Sequence, residues 1–324
     1  MSAILVRSTL RRWQVNAHAS AATSGVGTLV FGADQLSRDL DADRPVVALH
    51  EALRAPLPRA SDEVEISVPE YRGKTLIPML AWLVATRLAG PDATVSWRMG
   101  KRQGPDSMVR VLTALGWRLR RRRDREQIVL GGRPPDAREV QPPPEPASFT
   151  AQLGAARLQF AADYGVFSPH KVDDGTRLLF DVAMRRNAPL ASLADIGVGY
   201  GALALGLVRN GLTPAALGTD VDCLALLLAE RNADAAGVPL SLVCSADPRD
   251  LAATELTVCN VPTHLDAAAT AQLMHGLVER ARNGRVQIVV HATLEQRYRR
   301  QLEGPGLRIA CDRAASHVVL TVDG

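Results

Sequence analysis

Along the second half of the chain, short apolar runs alternate with stretches whose apolar residues recur three and four positions apart. Residues 192–196 form one such run and lead into a group of glycines, while 202–210 have helical spacing and stop at Gly211. The pattern continues as strand 215–219, helix 221–236 ended by Gly237, strand 240–244, strand 256–260, helix 267–283 with Gly284 as its C-cap, and strand 286–291. Residues 307–311 and 317–322 read as a closing hairpin. Strands separated by helices in this way predict right-handed βαβ units on a parallel sheet, an α/β fold.

The first half has a similar but less regular texture. Residues 46–49, 64–68, 94–99 and 127–130 have the composition of strands, and 76–88 and 108–115 that of helices, which predicts a second α/β domain. Between the halves, 132–148 holds six of the chain's 20 prolines. Proline donates no backbone hydrogen bond and disfavours helix at the residue before it, so this segment predicts an extended linker. The expected organisation is an N-terminal domain over 1–131, a linker over 132–148 and a C-terminal domain over 149–324.

The 324 residues are 47% hydrophobic and 22% charged, a globular composition that excludes general disorder. The balance of 38 Lys+Arg against 34 Asp+Glu leaves +4, too slight an excess to indicate nucleic acid by itself. Only Lys74, Lys101 and Lys171 are lysines, so arginine is abundant throughout and its frequency alone says nothing of function. Cys223, Cys244, Cys259 and Cys311 form no CxxC pair and are expected to be free thiols, mostly buried, in a reducing cytoplasm. No apolar run approaches the ~20 residues of a membrane span, and the first residues lack the basic start and apolar stretch of a secretory signal. The seven histidines show no HxH or HxxxH spacing, and none adjoins a cysteine, so no metal site is expected.

Residues 193–201, Leu-Ala-Asp-Ile-Gly-Val-Gly-Tyr-Gly, end a predicted strand and open a helix. Gly197, Gly199 and Gly201 would let the backbone turn tightly around a ligand. Dinucleotide folds use similar turns, and such a turn can also do no more than cap the following helix. Asp195 tilts the reading. An acid just before the glycines would repel a pyrophosphate but suits the cationic amino-acid end of S-adenosylmethionine (SAM). Asp220 ends the next strand, followed by Val221, and would accept from both ribose hydroxyls. Asp247, after the third strand, is placed either to accept from the adenine amino group or to cap the turn before Pro248. The fourth strand ends at Asn260-Val261-Pro262-Thr263-His264. Open parallel sheets bind ligands at the carboxyl ends of their strands, so this loop should face the same crevice.

That loop and an upstream segment, Gly165-Val-Phe167-Ser168-Pro-His-Lys171-Val-Asp173-Asp174-Gly175-Thr176, resemble the SAM-dependent methyltransferases of the methyltransferase small domain family. Its best-known members methylate guanine N2 of bacterial ribosomal RNA. The order and spacing of the stations match over roughly residues 155–324. The resemblance implies a Rossmann-like class I methyltransferase domain, a seven-stranded, mostly parallel sheet with a closing hairpin. It also implies SAM as cofactor, held by Phe167, Asp174, Gly175, Thr176, Asp195, Gly197, Gly199, Gly201, Asp220, Val221, Asp247 and Asn260. In the family loop, Asn-Pro-Pro followed by Phe or Tyr, the Asn side chain and the next carbonyl hold the substrate amine, and the aromatic stacks on the base. Carried over, this places catalysis at Asn260, Val261 and Pro262. Related ribosomal RNA enzymes carry a degenerate N-terminal copy of the domain, and residues 45–131 match such a copy in texture only.

Two positions depart from the family loop. Val261 replaces the first proline but keeps a carbonyl acceptor, and Thr263 replaces the aromatic and cannot stack. His264 is next in line as a flat surface or a base. Outside the loop, Arg118, Arg120, Arg121, Arg122, Arg123 and Arg125 crowd into eight residues beside Trp117, with Lys101-Arg102 nearby. Such a cluster suits RNA phosphates, although a solvated edge strand or hairpin would look the same. The function expected is SAM-dependent N-methylation of an exocyclic amine of an RNA base, with ribosomal RNA or a ribosomal subunit as partner and the base flipped out. The alternatives are a small-molecule amine methyltransferase of specialised metabolism, motivated by Thr263, and a SAM-binding protein without catalysis. Asp195 argues against a nicotinamide dehydrogenase.

Overall fold

The computed structural model describes residues 75–185, 188–263 and 265–324, together with strands at 3–7, 10–11, 28–30, 34–35, 46–48 and 61–67. It divides into two compact units, 1–146 with 163–165, and 147–162 with 166–324.

The first unit contains β1 (Ala3–Arg7), β2 (Leu10–Arg11), β3 (Thr28–Val30), β4 (Asp34–Gln35), β5 (Val46–Ala48), β6 (Ser61–Ser67), α1 (Leu76–Leu83), β7 (Ala89–Gly100), α2 (Pro105–Ala114), β8 (Arg118–Asp124) and β9 (Gln127–Arg133). Seven strands form one sheet in the order β5-β3-β1-β6-β7-β9-β8, parallel from β5 to β7 and antiparallel beyond. α1 is apolar almost all round, and Leu76, Ile77, Met79, Leu80, Ala81 and Leu83 are buried, as a helix enclosed in a core should be. α2 opens with Pro105 at its first position, where the missing N–H costs nothing. Trp97 and Trp117 meet edge-to-face at 5.4 Å in the core, the packing role that aromatic pairs favour.

The second unit opens with a hairpin of β10 (Ser148–Leu153) and β11 (Ala156–Ala161). It continues through α3 (Asp174–Met184), β12 (Leu193–Ile196), α4 (Ala202–Arg209), β13 (Ala216–Asp220), α5 (Cys223–Ala236), β14 (Leu240–Cys244), β15 (Leu256–Asn260), α6 (Ala267–Ala281), β16 (Arg285–His291), α7 (Glu295–Leu302), β17 (Arg308–Arg313) and β18 (His317–Asp323). Its sheet runs β14-β13-β12-β15-β16-β18-β17, with β18 and β17 the antiparallel closing hairpin. Counted within its own sheet, the strand order is 3-2-1-4-5-7-6, and the first unit's sheet has the same order. The N-terminal unit thus repeats the topology of the C-terminal one, where the amino-acid pattern offered only a likeness of texture. In the second unit the order reverses beside β12, whose neighbours are β13 and β15, and this is where open α/β sheets leave a ligand crevice.

Between Arg133 and Ser148 the chain forms neither helix nor strand. Several elements are absent from the hydrophobic pattern, among them β1, β3, β10, β11 and α7. β3 has only three residues. α7, Glu-Gln-Arg-Tyr-Arg-Arg-Gln-Leu, buries only Glu295, Tyr298 and Leu302 and so shows no apolar stripe. Glu295 is buried because Arg313 reaches it with both guanidinium nitrogens. Cys223, Cys244 and Cys259 are buried free thiols, whereas Cys311 is exposed on the edge strand β17. No helix among the described residues is long and apolar enough to cross a membrane.

Candidate active site

The loop between β12 and α4 follows the path its glycines permit. Gly197, Gly199 and Gly201 have φ of +72°, +56° and +92°, a region that favours glycine. The N–H groups of Gly197 and Val198 both donate to the Thr219 carbonyl on β13, at 2.8 and 2.9 Å, which fixes the turn. A Cβ on Gly199 would enter open space, and one on Gly197 would come no nearer than 4.0 Å to the Asn260 carbonyl. Gly201 differs, because a Cβ there would meet Leu205 at 2.8 Å. The first two glycines therefore line a cradle, and the third allows close packing at the start of α4.

Two acids stand at this cradle. Asp195, on β12, is 2% exposed, and its Oδ2 accepts from the Ala204 N–H in the first turn of α4 at 3.1 Å. Burial, aided by the nearby Asp220, pushes its carboxyl up to about 7. Asp220 ends β13 and accepts from the N–H groups of Gly199 and Asp222, each at 2.9 Å. Burial and the neighbouring Asp222 push it up to about 6. Asp195 is buried and Asp220 half-buried, and neither has a cationic partner among the described residues. Such acids suit a cationic ligand, which would remove the penalty of ionising them. An open glycine cradle beside two such acids fits SAM. Val221 follows Asp220 and is half-buried.

On the other side of β12, Asn260 ends β15. Its Nδ2 donates to Asp173 Oδ2 at 3.0 Å and to Thr176 Oγ1 at 2.9 Å. A carboxylate only accepts, so the amide nitrogen must face Asp173, and the amide oxygen is turned away. Asp173 also caps α3, accepting from the Thr176 N–H at 3.1 Å. One carboxylate thus starts a helix and orients the asparagine. Asp173 lies in the segment that pointed to this site, but the pattern assigned it no role. Asp174, expected at the cofactor, stands on the surface 3.8 Å from the Lys171 ammonium.

These positions match a known family. Residues 157–304, just under half of the chain, match the methyltransferase small domain. This stretch belongs to that family of SAM-dependent methyltransferases. The chain is 31% identical over 155 residues to ribosomal RNA small subunit methyltransferase C of Stutzerimonas stutzeri, covering 45% of each protein. It is 27% identical over 134 residues to the uncharacterized protein YbxB of Bacillus subtilis, covering 41% of this chain and 66% of that one. The chain therefore spans between about half and two thirds of the curated relatives it matches. Among solved structures, the T. thermophilus 16S rRNA N2 G1207 methyltransferase, in complex with AdoMet and guanosine, shares the fold with a TM-score of 0.72. That likeness, at 21% identity, covers all of this chain and 88% of that one.

Within this methyltransferase small domain, Asp247 takes the capping role. It caps the turn at Pro248 and holds Arg249 in a fork with contacts of 2.6–3.1 Å, and Arg249 keeps its carboxyl below the usual range. The segment after it is tethered by a residue the pattern gave no role, Arg280 on α6. The buried Arg280 guanidinium donates to Thr257 Oγ1, Thr254 Oγ1 and the carbonyls of Pro248, Leu251 and Ala252, at 2.8–3.0 Å. An arginine on a helix face that also carries Leu273, Met274 and Leu277 was the available signal. A Cβ on Gly276 would come within 2.7 Å of Pro248, so α6 and this loop pack tightly.

The Val261 side chain is buried in the core with Leu251, Leu273 and Tyr298, so only its backbone can meet a substrate. Pro262 and Thr263 are exposed, and His264 lies outside the described residues. Phe167 is the large apolar side chain most open to solvent among the described residues, at 70% exposure. Thr176 is buried against Asn260, and Gly175 is buried with its Cα facing Asp173 and His317.

In the first unit, the arginine cluster lies on β8, the edge strand of its sheet. Strand alternation sorts it into two faces. Arg121 pairs with Asp106 at 2.5 Å, and Arg123 lies 4.0 Å from Glu126. Arg118, Arg120 and Arg122 share the opposite face, where Asp124 lies 3.9 Å from Arg122. Arg125 sits in the turn to β9 with φ +52°, its carbonyl accepting from Arg123 Nε. Among the described residues, no group of His, Cys, Asp and Glu is set to hold a metal ion.

Proposed function

We propose that this protein methylates an exocyclic amine of a base in RNA, with ribosomal RNA or a ribosomal subunit as substrate. The observation that carries the reading is the fixed orientation of Asn260. When bound, SAM supplies a methyl group made electrophilic by its sulfonium. Asp173 and Thr176 hold the Asn260 amide so that its oxygen faces outward at the carboxyl end of β15. That oxygen accepts one N–H of the substrate amine, and the Val261 carbonyl accepts the other. Held by both hydrogens, the nitrogen keeps its lone pair directed at the methyl, which is catalysis by orientation. No strong base is required, because the amine proton becomes acidic once the nitrogen has been methylated.

The names of the relatives support RNA as the substrate, and so does the divided arginine cluster. Arg118, Arg120 and Arg122 recur every second residue, roughly 7 Å apart along the strand, so they can take successive phosphates. The N-terminal unit on this reading supplies RNA affinity. Replacing these three by Gln is expected to weaken RNA binding and to reduce the salt slope by about 2–3, whereas Gln at Arg121 and Arg123 leaves it nearly unchanged. Filter binding across salt concentrations measures this, and equal effects of the two sets would remove the face-specific assignment.

The decisive experiment supplies methyl-labelled SAM with ribosomal RNA, naked and as subunits. Label in the RNA supports the reading, and nuclease mapping then identifies the base. Absence of label, with S-adenosylhomocysteine still bound, moves the substrate to a small-molecule amine.

A further inference from the structure

The cofactor cradle and the acceptor amide lie on opposite sides of β12, with Asp220 on β13 and Asn260 on β15. Continuing in the same direction across the sheet, the next strands are β16 and then β18. Asn260 pairs with Val289 on β16, so His291, two residues further on, projects beyond it at the same end of the sheet. His291 in turn faces His317, the first residue of β18, in register. Two imidazoles therefore stand at this end of the sheet, on the side of Asn260 away from the cradle. Their ring centroids are 5.7 Å apart and their planes are 78° apart, an edge-to-face pair.

His317 lies against the first turn of α3 at Gly175. A Cβ built on Gly175 would lie 3.0 Å from His317 Cδ2 and 3.0 Å from Asp173 Oδ2. The ring thus rests on the first turn of α3, beside the carboxylate that orients Asn260. A side chain at 175 would crowd both groups, so glycine there lets the ring sit close to the helix. Each imidazole uses Nδ1 on a nearby hydroxyl at 2.8 Å, His317 with Ser316 Oγ and His291 with Thr293 Oγ1. These bonds hold the rings' orientation. His317 is half-buried and His291 exposed, so the pair borders open space.

We infer that His317, backed by His291, is the flat wall of the acceptor subsite and provides the aromatic surface for a base that Thr263 does not. The inference rests on the base-methylation reading and specifies the acceptor as a planar heterocycle stacked on imidazole. Stacking tolerates any flat ring, so Phe should substitute for His317 where Leu, similar in bulk, should not.

The test measures methyl transfer to ribosomal RNA and calorimetric binding of guanosine in saturating S-adenosylhomocysteine, for the wild type and for His317→Ala, His317→Leu, His317→Phe and His291→Ala. Expected for His317→Ala and His317→Leu is a rise in RNA KM and guanosine Kd of roughly 5- to 100-fold, with unchanged S-adenosylhomocysteine affinity. His317→Phe should stay within a few-fold of the wild type. His291→Ala, at an exposed position that carries little folding risk, should show a smaller rise in the same direction. Wild-type KM in both His317→Leu and His291→Ala would overturn the wall while leaving base methylation intact. A loss of S-adenosylhomocysteine affinity that parallels the loss of guanosine would reduce His317 to a packing residue. A wild-type protein that neither labels RNA nor binds guanosine would overturn the base-methylation reading and the wall with it.

Discussion

Asn260→Ala is expected to lower methyl transfer by about 100-fold or more while changing the affinity for S-adenosylhomocysteine far less. The reason lies in what the amide does. Its nitrogen is committed to Asp173 and Thr176, so removing it costs the cradle little but deprives the substrate amine of a directed acceptor. Asp173→Asn sharpens the test. An amide at 173 can donate as well as accept, so the Asn260 amide is no longer forced into one orientation, and turnover should fall to an intermediate level. Asp173→Ala should in addition lower stability by about 1 kcal/mol, because it removes the cap of α3. Single-turnover transfer rates, set against calorimetric cofactor affinity, separate the two effects. Full activity in Asn260→Ala would remove the amine clamp altogether.

The second large effect concerns pH. Asp195 and Asp220 are held up to about 7 and about 6 by burial and by neighbouring acids. A cationic ligand binds their ionised forms, so SAM should bind more weakly as pH falls through 7 toward 6, and binding should release protons in that range. Calorimetry in buffers of different ionisation heat measures the release directly. Stability of the unliganded protein should run the other way. A carboxyl with a raised value binds more protons folded than unfolded, so Asp195 contributes stability at low pH that is lost as pH rises from its ordinary 3.8 through about 7. Asp195→Asn keeps the shape and can still accept from Ala204. It is expected to raise the Tm of the unliganded protein at pH 8, with the gain shrinking as pH falls below about 7 and vanishing only toward 3.8, and to weaken SAM binding by roughly 10- to 100-fold. Unchanged SAM affinity in this variant would detach Asp195 from the cofactor.

The C-terminal sheet was legible in the sequence because its strands are apolar runs separated by amphipathic helices, and its glycine turn, Asp220 and Asn260 stand where strands end. Asp173 was less legible, since its role depends on β15, 87 residues away, bringing Asn260 to it. Arg280 and the His291–His317 pair were hidden for the same reason, as their partners meet only once the sheet order is set. Asp247 was read with two alternatives, and the cap is visible in the bond it accepts from the Arg249 N–H, two residues on. In the N-terminal unit, the repeated strand order rests on pairings such as β1 with β6, between segments some 60 residues apart, which local pattern does not reveal.

The position of β8 at the end of its sheet bears on solubility as well as on RNA. An edge strand offers unpaired backbone groups to any passing strand, and charged side chains are a common guard against such additions. With five arginines on this strand, a second extended chain would have to bring like or uncompensated charges alongside. Stripping the cluster to apolar residues would therefore unmask an aggregation-prone edge, and loss of RNA binding in such a variant would be confounded by self-association. Glutamine, which removes the charge and keeps a polar edge, is the substitution that separates recognition from protection.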